Sequence, residues 1–217
     1  MRDALIRTGR PIVFCIWDWG VDSVWKWGAG YGNLWRTTPD ITPAFASLLS
    51  IFHANVGLGG YAGPGGWNDP DMLETGNGMT GTEDRAELSL WAMMAAPLIA
   101  GSNLVDASAE TLAILTNAAV IAVDQDPLGR PARLVSAGGG LDVLARPLSN
   151  GDVAVLLFNE TATAATISTS APRTGLDAAP TCPLRDPWSG ETTTTTGAIT
   201  ASVPPRGVAM YRATPSR

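Results

Sequence analysis

The sequence predicts an α/β region over residues 1–129 followed by an antiparallel β-sandwich over residues 130–217, and three observations carry that reading. Short apolar runs alternate with helical patterns in the first region, which implies a parallel sheet covered by helices. Composition changes near Gly129-Arg130-Pro131: all of the eight tryptophans except Trp188 lie between Trp17 and Trp91, whereas the Thr-rich and Ser-rich stretches follow Thr161. Beyond that point, short β-prone runs are separated by turn signals.

Taken in order, residues 11–17 form an apolar run between Gly9-Arg10 and Asp18-Trp19-Gly20. Its β-branched and aromatic content predicts a buried strand. A loop rich in Trp, Gly and Asp follows. Residues 43–55 then place Phe45, Leu48, Leu49 and Phe52 on one helical face, with Gly57 as the stop. Thr80 and Glu83 have the spacing of a capping box, opening a helix through Leu88, Leu90, Trp91, Met93 and Met94 until Pro97. Residues 97–101 are another short apolar run, and Asp106 or Ser108 caps a helix holding Leu112, Ile114 and Leu115. In the second region, residues 141–146, 151–158 and 207–211 read as strands, with turns at Ser149-Asn150-Gly151 and Trp188-Ser189-Gly190. Residues 192–196 are low in complexity and predict one exposed strand or loop.

Composition narrows the function classes. The chain of 217 residues is 45% hydrophobic and 16% charged, as a globular protein is. No run approaches the roughly 18 apolar residues of a membrane span, and residues 1–10 lack the apolar stretch of an export signal. No membrane partner is expected, and localisation stays open. The formal net charge is −6 and the basic residues form no cluster, which argues against a nucleic-acid partner. A single His and two distant cysteines, Cys15 and Cys182, predict neither a zinc site nor a short-loop disulfide. The oxygens of Asn68, Asp69 and Asp71 lack the alternation of a calcium loop, so neither a metal nor another cofactor is expected.

The chemistry-bearing stretch is Gly63-Pro64-Gly65-Gly66-Trp67-Asn68-Asp69-Pro70-Asp71-Met72-Leu73. Two carboxylates and an amide follow a Gly/Pro run that no regular helix or central strand would hold. Upstream, Arg36 and Asp40 lie four residues apart in Trp35-Arg36-Thr37-Thr38-Pro39-Asp40. Carboxylates converging from separate segments are what glycosidic bond cleavage requires. On residues alone, Asp40 fits equally well as the N-cap of the helix near Pro43. Asp69 and Asp71 fit turn chemistry, and Arg36 fits a surface ion pair. Trp19, Trp25, Trp27 and Trp35 are candidates for lining a sugar cleft, Trp17 and Trp91 for the core, and His53 for a packed or exposed helix position.

These segments together resemble a known family. Thr8-Gly9-Arg10-Pro11-Ile12-Val13-Phe14, Trp19-Gly20-Val21-Asp22-Ser23, Asn33-Leu34-Trp35-Arg36-Thr37-Thr38-Pro39-Asp40-Ile41, the Ala62 to Leu73 stretch, Leu90-Trp91-Ala92-Met93-Met94-Ala95-Ala96-Pro97-Leu98 and Val120-Ile121-Ala122-Val123-Asp124-Gln125-Asp126-Pro127-Leu128-Gly129 resemble, in order, glycoside hydrolase family 27, the α-galactosidase (melibiase) family. The resemblance implies a partial (β/α)8 barrel, strands five to eight, followed by the family's C-terminal β domain. It implies retaining hydrolysis of terminal α-D-galactosyl residues, with an α-galactoside oligosaccharide or glycoconjugate as partner. By position, Asp40 matches the acid/base and Arg36 a residue contacting sugar and carboxylates. Asp71 matches the acceptor of galactose hydroxyl bonds, with Met72 beside it; Trp19 falls in the sugar cleft and Asp18 at a specificity position. Asp124 and Asp126 match a structural turn.

The family's nucleophile, an aspartate in a Lys-x-Asp motif, matches no residue of this chain, and Trp17 stands where relatives commonly carry a disulfide cysteine. The expectation is therefore a truncated hydrolase with near-background turnover by itself; the alternative is a non-catalytic galactoside-binding or structural remnant. Open strand edges and apolar helix faces of the half-barrel would favour self-association.

Overall fold

The computed structural model describes residues 1–176 and 181–215. After α1 (Arg2–Arg7), strands β1 (Cys15–Ile16), β2 (Leu34–Arg36) and β3 (Trp67–Asp69) pair in parallel in the order β1-β2-β3. Helix α2 (Phe45–Asn55) connects β2 to β3, and α3 (Gly81–Met94), α4 (Ala109–Leu115) and α5 (Ala118–Asp124) follow. The expected strand at residues 97–101 forms only an isolated parallel bridge beyond the end of β3, Leu73 with Ala100. There Leu73 N donates to Ile99 O at 2.7 Å and Gly101 N to Leu73 O at 2.9 Å.

The expected buried strand over residues 11–17 is corrected. Only Cys15 and Ile16 pair, and Val13 and Trp17 are 72% and 67% exposed. β1 is the edge of the sheet, bonded to β2 alone, so apolar character does not bury it; Trp17 is a surface residue and not core. Helix α2 buries Phe45, Leu48 and Phe52 as its spacing predicts, with Leu49 packed alongside. Gly57 does not stop the helix: the chain tightens into a 3-10 run, Val56–Tyr61, as helix ends often do. In α3 the capping box is present, with Thr80 N to Glu83 Oε2 at 2.9 Å and Glu83 N to Thr80 Oγ1 at 3.3 Å. Ser108, not Asp106, caps α4 through Thr111 N at 3.0 Å.

The second region is antiparallel throughout its ladders. Strands β4 (Arg133–Ser136), β5 (Leu141–Pro147), β6 (Val153–Asn159), β8 (Cys182–Arg185), β9 (Thr192–Thr195) and β11 (Gly207–Ala213) form a sheet ordered β4-β5-β6-β11-β8-β9. A two-stranded sheet of β7 (Ala165–Ser170) and β10 (Ala198–Val203), joined to the short α6 (Ala171–Thr174), packs on one face. Every residue of β6 is buried, because both faces are covered. Val155 and Leu157 meet Ile167, Ile199 and Val203. Leu156 and Phe158 face the helices, where the Phe158 ring lies edge-on to Phe52 at 5.5 Å and to Phe45 at 6.3 Å. The architecture is thus a partial barrel with an antiparallel β-sandwich packed against its helices. Of the exposed strand or loop expected over residues 192–196, residues 192–195 form an edge strand, exposed at Thr192, Thr193 and Thr194 and buried at Thr195.

Candidate functional site

The loops leaving the C-terminal ends of β1, β2 and β3 are tied to one another by polar bonds. Gly20 N donates to Arg36 O at 3.0 Å, and a Cβ at Gly20 (φ 79°) would lie 2.1 Å from Thr37 O, so only glycine fits this approach. Thr37 N donates to Asp69 O at 3.0 Å and its hydroxyl donates to Asn55 Oδ1 of α2 at 2.5 Å. Thr38 Oγ1 donates to Pro70 O at 3.2 Å. Asp40, the alternative cap for α2, does not serve there: the N-cap is Ala44, with no side-chain bond.

That scaffold brings Arg36, Asp40, Asp71 and Trp19 together. Arg36 Nη2 donates to Asp71 Oδ2 at 2.7 Å, to Asp40 Oδ1 at 3.1 Å and to Thr38 O at 3.3 Å. Trp19 Nε1 donates to Asp40 Oδ1 at 3.1 Å. Asp71 adopts φ 107°, a conformation that costs a non-glycine residue roughly 1–3 kcal/mol and persists only where its surroundings over-determine it. Here the surroundings do so. Asp71 N donates to Asp69 Oδ1 at 3.0 Å, Ile41 N to Asp71 Oδ2 at 2.9 Å, Met72 N to Asp71 Oδ1 at 2.8 Å and Trp91 Nε1 to Asp71 O at 2.9 Å.

Burial divides the charged groups into two kinds. The Arg36 and Asp71 side chains are 8% and 6% exposed, a buried pair, whereas the Asp40 side chain is 61% exposed. A solvent-open carboxyl gripped on one oxygen by fixed donors can give up and recover a proton at a bound molecule. Asp18 adjoins this group with a buried Oδ2 that has no protein partner, and Met72 is part-exposed and packs against Gly101.

Of the aromatic candidates, Trp19 and Trp27 are exposed and Trp25 is half-buried. Trp35 is wholly buried beneath Gly28 and Gly66 and bonded to Asn68 Oδ1 at 2.7 Å, which removes it from any cleft. Asp69 is committed to the turn and to the Cys15 thiol at 3.5 Å; burial raises its carboxyl, and partial burial together with the Asp69 charge pushes the thiol to about 12. Asn68 is bonded through both side-chain atoms, the amide to Leu58 O. Among the described residues no group of three or more His, Cys, Asp or Glu side chains is arranged to hold a metal. Asp126 accepts from Leu128 N, Ser149 N and Ser149 Oγ, the structural turn expected of it. Sequence reasoning placed Trp91 in the core, where it is; its second use, holding the Asp71 carbonyl from α3, has no local signal in the sequence.

Comparison with known proteins gives a consistent picture. The family model described as alpha galactosidase A matches residues 1–126, and that of the alpha galactosidase C-terminal beta sandwich domain matches residues 138–213. Alpha-galactosidase 3 of Arabidopsis thaliana is 45% identical across 99% of this chain and 51% of its own length. The crystal structure of α-galactosidase I from Mortierella vinacea superposes with a TM-score of 0.96 at 29% identity, over 100% of this chain and 62% of that one. An α-galactosidase of Saccharomyces cerevisiae solved with raffinose gives 0.91 at 28% identity, over 100% of this chain and 67% of that one. The chain spans about half the length of the curated relatives it matches, 51% and 58% of the first two.

Proposed function

This chain belongs to the alpha galactosidase A family, and on that premise we propose that its residues 1–129 carry the acid/base and part of the sugar-binding surface of a retaining α-galactosidase, with residues 130–217 as the supporting β domain. The observation that carries this reading is the junction at Arg36, where one buried guanidinium nitrogen holds a buried carboxylate, Asp71, and an exposed one, Asp40. Retaining hydrolysis needs a carboxyl that protonates the leaving oxygen and later deprotonates water, opposite a second carboxylate that attacks the anomeric carbon. Asp40 takes the first role, because its side chain is the solvent-open one of the pair, whereas both oxygens of Asp71 are held by Arg36 and by the backbone N–H groups of Ile41 and Met72. Arg36 fixes its orientation, and Asp18, Trp19, Asp71 and Met72 contribute the surface for a terminal galactosyl group.

The substrate class is an α-galactoside oligosaccharide or glycoconjugate, in keeping with the raffinose bound by the yeast relative. In this reading no residue of 1–217 attacks the sugar. That role belongs to the share of the relatives' length that this chain does not span. The exposed β1 edge, with Val13 and Trp17, makes the 217-residue chain prone to self-association.

The test is Asp40→Asn in an active chimera that joins this chain to the segment of a curated relative which it does not span. We expect kcat/KM on an alkyl α-galactoside to fall by roughly 10²–10⁴-fold, and by less on an aryl galactoside whose leaving group departs without a proton. Equal, small losses on both substrates would remove Asp40 from the acid/base role. The 217-residue chain alone should show turnover near background; robust turnover abolished by Asp40→Asn would place the attacking group within it.

A further inference from the structure

Asp40 Oδ1 accepts two hydrogen bonds, from Arg36 Nη2 and from Trp19 Nε1, both at 3.1 Å. A carboxyl oxygen with two N–H donors has its lone pairs engaged, and a proton placed on it would point at those donors. We propose that Trp19 is a positioning residue for Asp40, whose indole N–H joins Arg36 in reserving Oδ1 as an acceptor and so confines the transferable proton to Oδ2. The proposal rests on the acid/base reading of Asp40 and goes beyond it, since it says which oxygen carries the proton and what enforces the choice.

Several features of the β1 loop fit this role better than a packing role. Trp19 is 48% exposed, so burial of its indole is not what holds it there. It sits at φ 52°, in the left-handed region that bulky residues avoid, inside a turn closed by Val21 N to Asp18 O at 2.9 Å and by the Gly20 bond to Arg36 O. That turn carries the indole N–H to Asp40, and the Trp17 ring braces it edge-on at 5.5 Å. The two donors also differ. Arg36 Nη2 is divided among Asp71, Asp40 and Thr38 O, whereas the Trp19 N–H serves Asp40 alone. The charged groups tied to Asp40 are Arg36 of β2 and, through the same guanidinium nitrogen, Asp71 beyond β3; Asp18 precedes Trp19 in the β1 loop.

A hydrogen bond to the ionised carboxylate favours ionisation, so removing it makes Asp40 hold its proton to higher pH. In the active chimera, Trp19→Phe should move the alkaline limb of kcat/KM upward by about half a unit or more, a change that lost sugar stacking would not produce. In the 217-residue chain, the indole N–H resonance of Trp19 should respond to pH, and the response should vanish in Asp40→Asn. If Asp40→Asn leaves the enzyme active, the acid/base reading fails. If Asp40→Asn inactivates while Trp19→Phe leaves the limb in place, the positioning role alone is overturned. Should Trp19→Phe not fold, a Trp19 indole signal that ignores pH in the unaltered chain overturns it equally.

Discussion

The three-stranded parallel sheet and the six-stranded antiparallel sheet are held together by different means. In the antiparallel sheet, β5, β6 and β11 run for seven residues each, bonded rung by rung, and β6 is buried on both faces. The parallel strands run for only two or three residues, and β1 is bonded on one side alone. Beyond those short ladders, side-chain and loop bonds take over: Thr37 to Asn55, Thr38 to Pro70 and Ile41 to Asp71. The same bonds set the geometry of Arg36, Asp40 and Asp71. Apolar burial supports both regions, but at the strand ends of the site-bearing region polar contacts also fix the positions of its chemical groups.

The contrast is most directly broken at the seam. Phe158 belongs to β6, yet its ring meets Phe45 and Phe52 of α2. Phe158→Ala should cost about 3–5 kcal/mol in urea unfolding, with both regions lost in one transition because the core is shared. Two separated transitions, one unaffected by the substitution, would show that the regions are stable independently.

A second, smaller effect concerns charge buried on the helical side. Glu87 of α3 is fully buried; its Oε1 accepts from Glu74 N at 2.9 Å and its Oε2 from the Thr75 hydroxyl at 2.7 Å. Burial nevertheless raises its carboxyl to about 7, and raises Asp84, one turn earlier, to about 6. A raised carboxyl binds its proton more tightly in the folded state. Its contribution is therefore full below the unfolded value near 4.5 and is lost as pH rises through about 7. Asp124 and Asp142 are raised in the same sense, while Glu83 and Asp152 are lowered and act oppositely, losing their contribution as pH falls. Between pH 5 and pH 8 the raised groups dominate, and stability should decline. Glu87→Gln keeps the acceptor for Glu74 N and removes the titration, so it should flatten that slope by on the order of 2 kcal/mol. An unchanged pH slope of Tm would show that Glu87 stays ionised throughout.

What was legible in the sequence divides along similar lines. The α3 capping box, the apolar face of α2 and the long β strands follow local rules, and they formed as read. Resemblance pointed to Arg36, Asp40 and Asp71, but their junction at one nitrogen depends on loops from three strands. Trp19 meeting Asp40, and Trp91 meeting the Asp71 carbonyl, span 21 and 20 residues with no periodicity to announce them. Trp35 and Trp17 exchanged their expected places for a related reason. Whether an aromatic side chain is buried depends on what lies across the sheet, and composition does not encode the open side of β1.

That open side yields the smallest effect on stability and a clear effect on association. Trp17 is 67% exposed; its ring contact is Trp19, itself half exposed. Replacing a surface residue of this kind changes stability by no more than about 0.5 kcal/mol, so Trp17→Ser should leave Tm of the 217-residue chain nearly unchanged. An unpaired apolar strand edge is, however, a template for another chain. If β1 is the surface through which copies of this chain meet, Trp17→Ser should shift sedimentation of concentrated samples toward monomer, while a substitution on the exposed edge strand β9, such as Thr193→Ser, should not. Equal sedimentation of both variants and the parent would exclude the β1 edge as the contact. A large fall in Tm would instead show that Trp17 supports the parallel sheet, and the division between a self-sufficient β region and an open barrel edge would have to be redrawn.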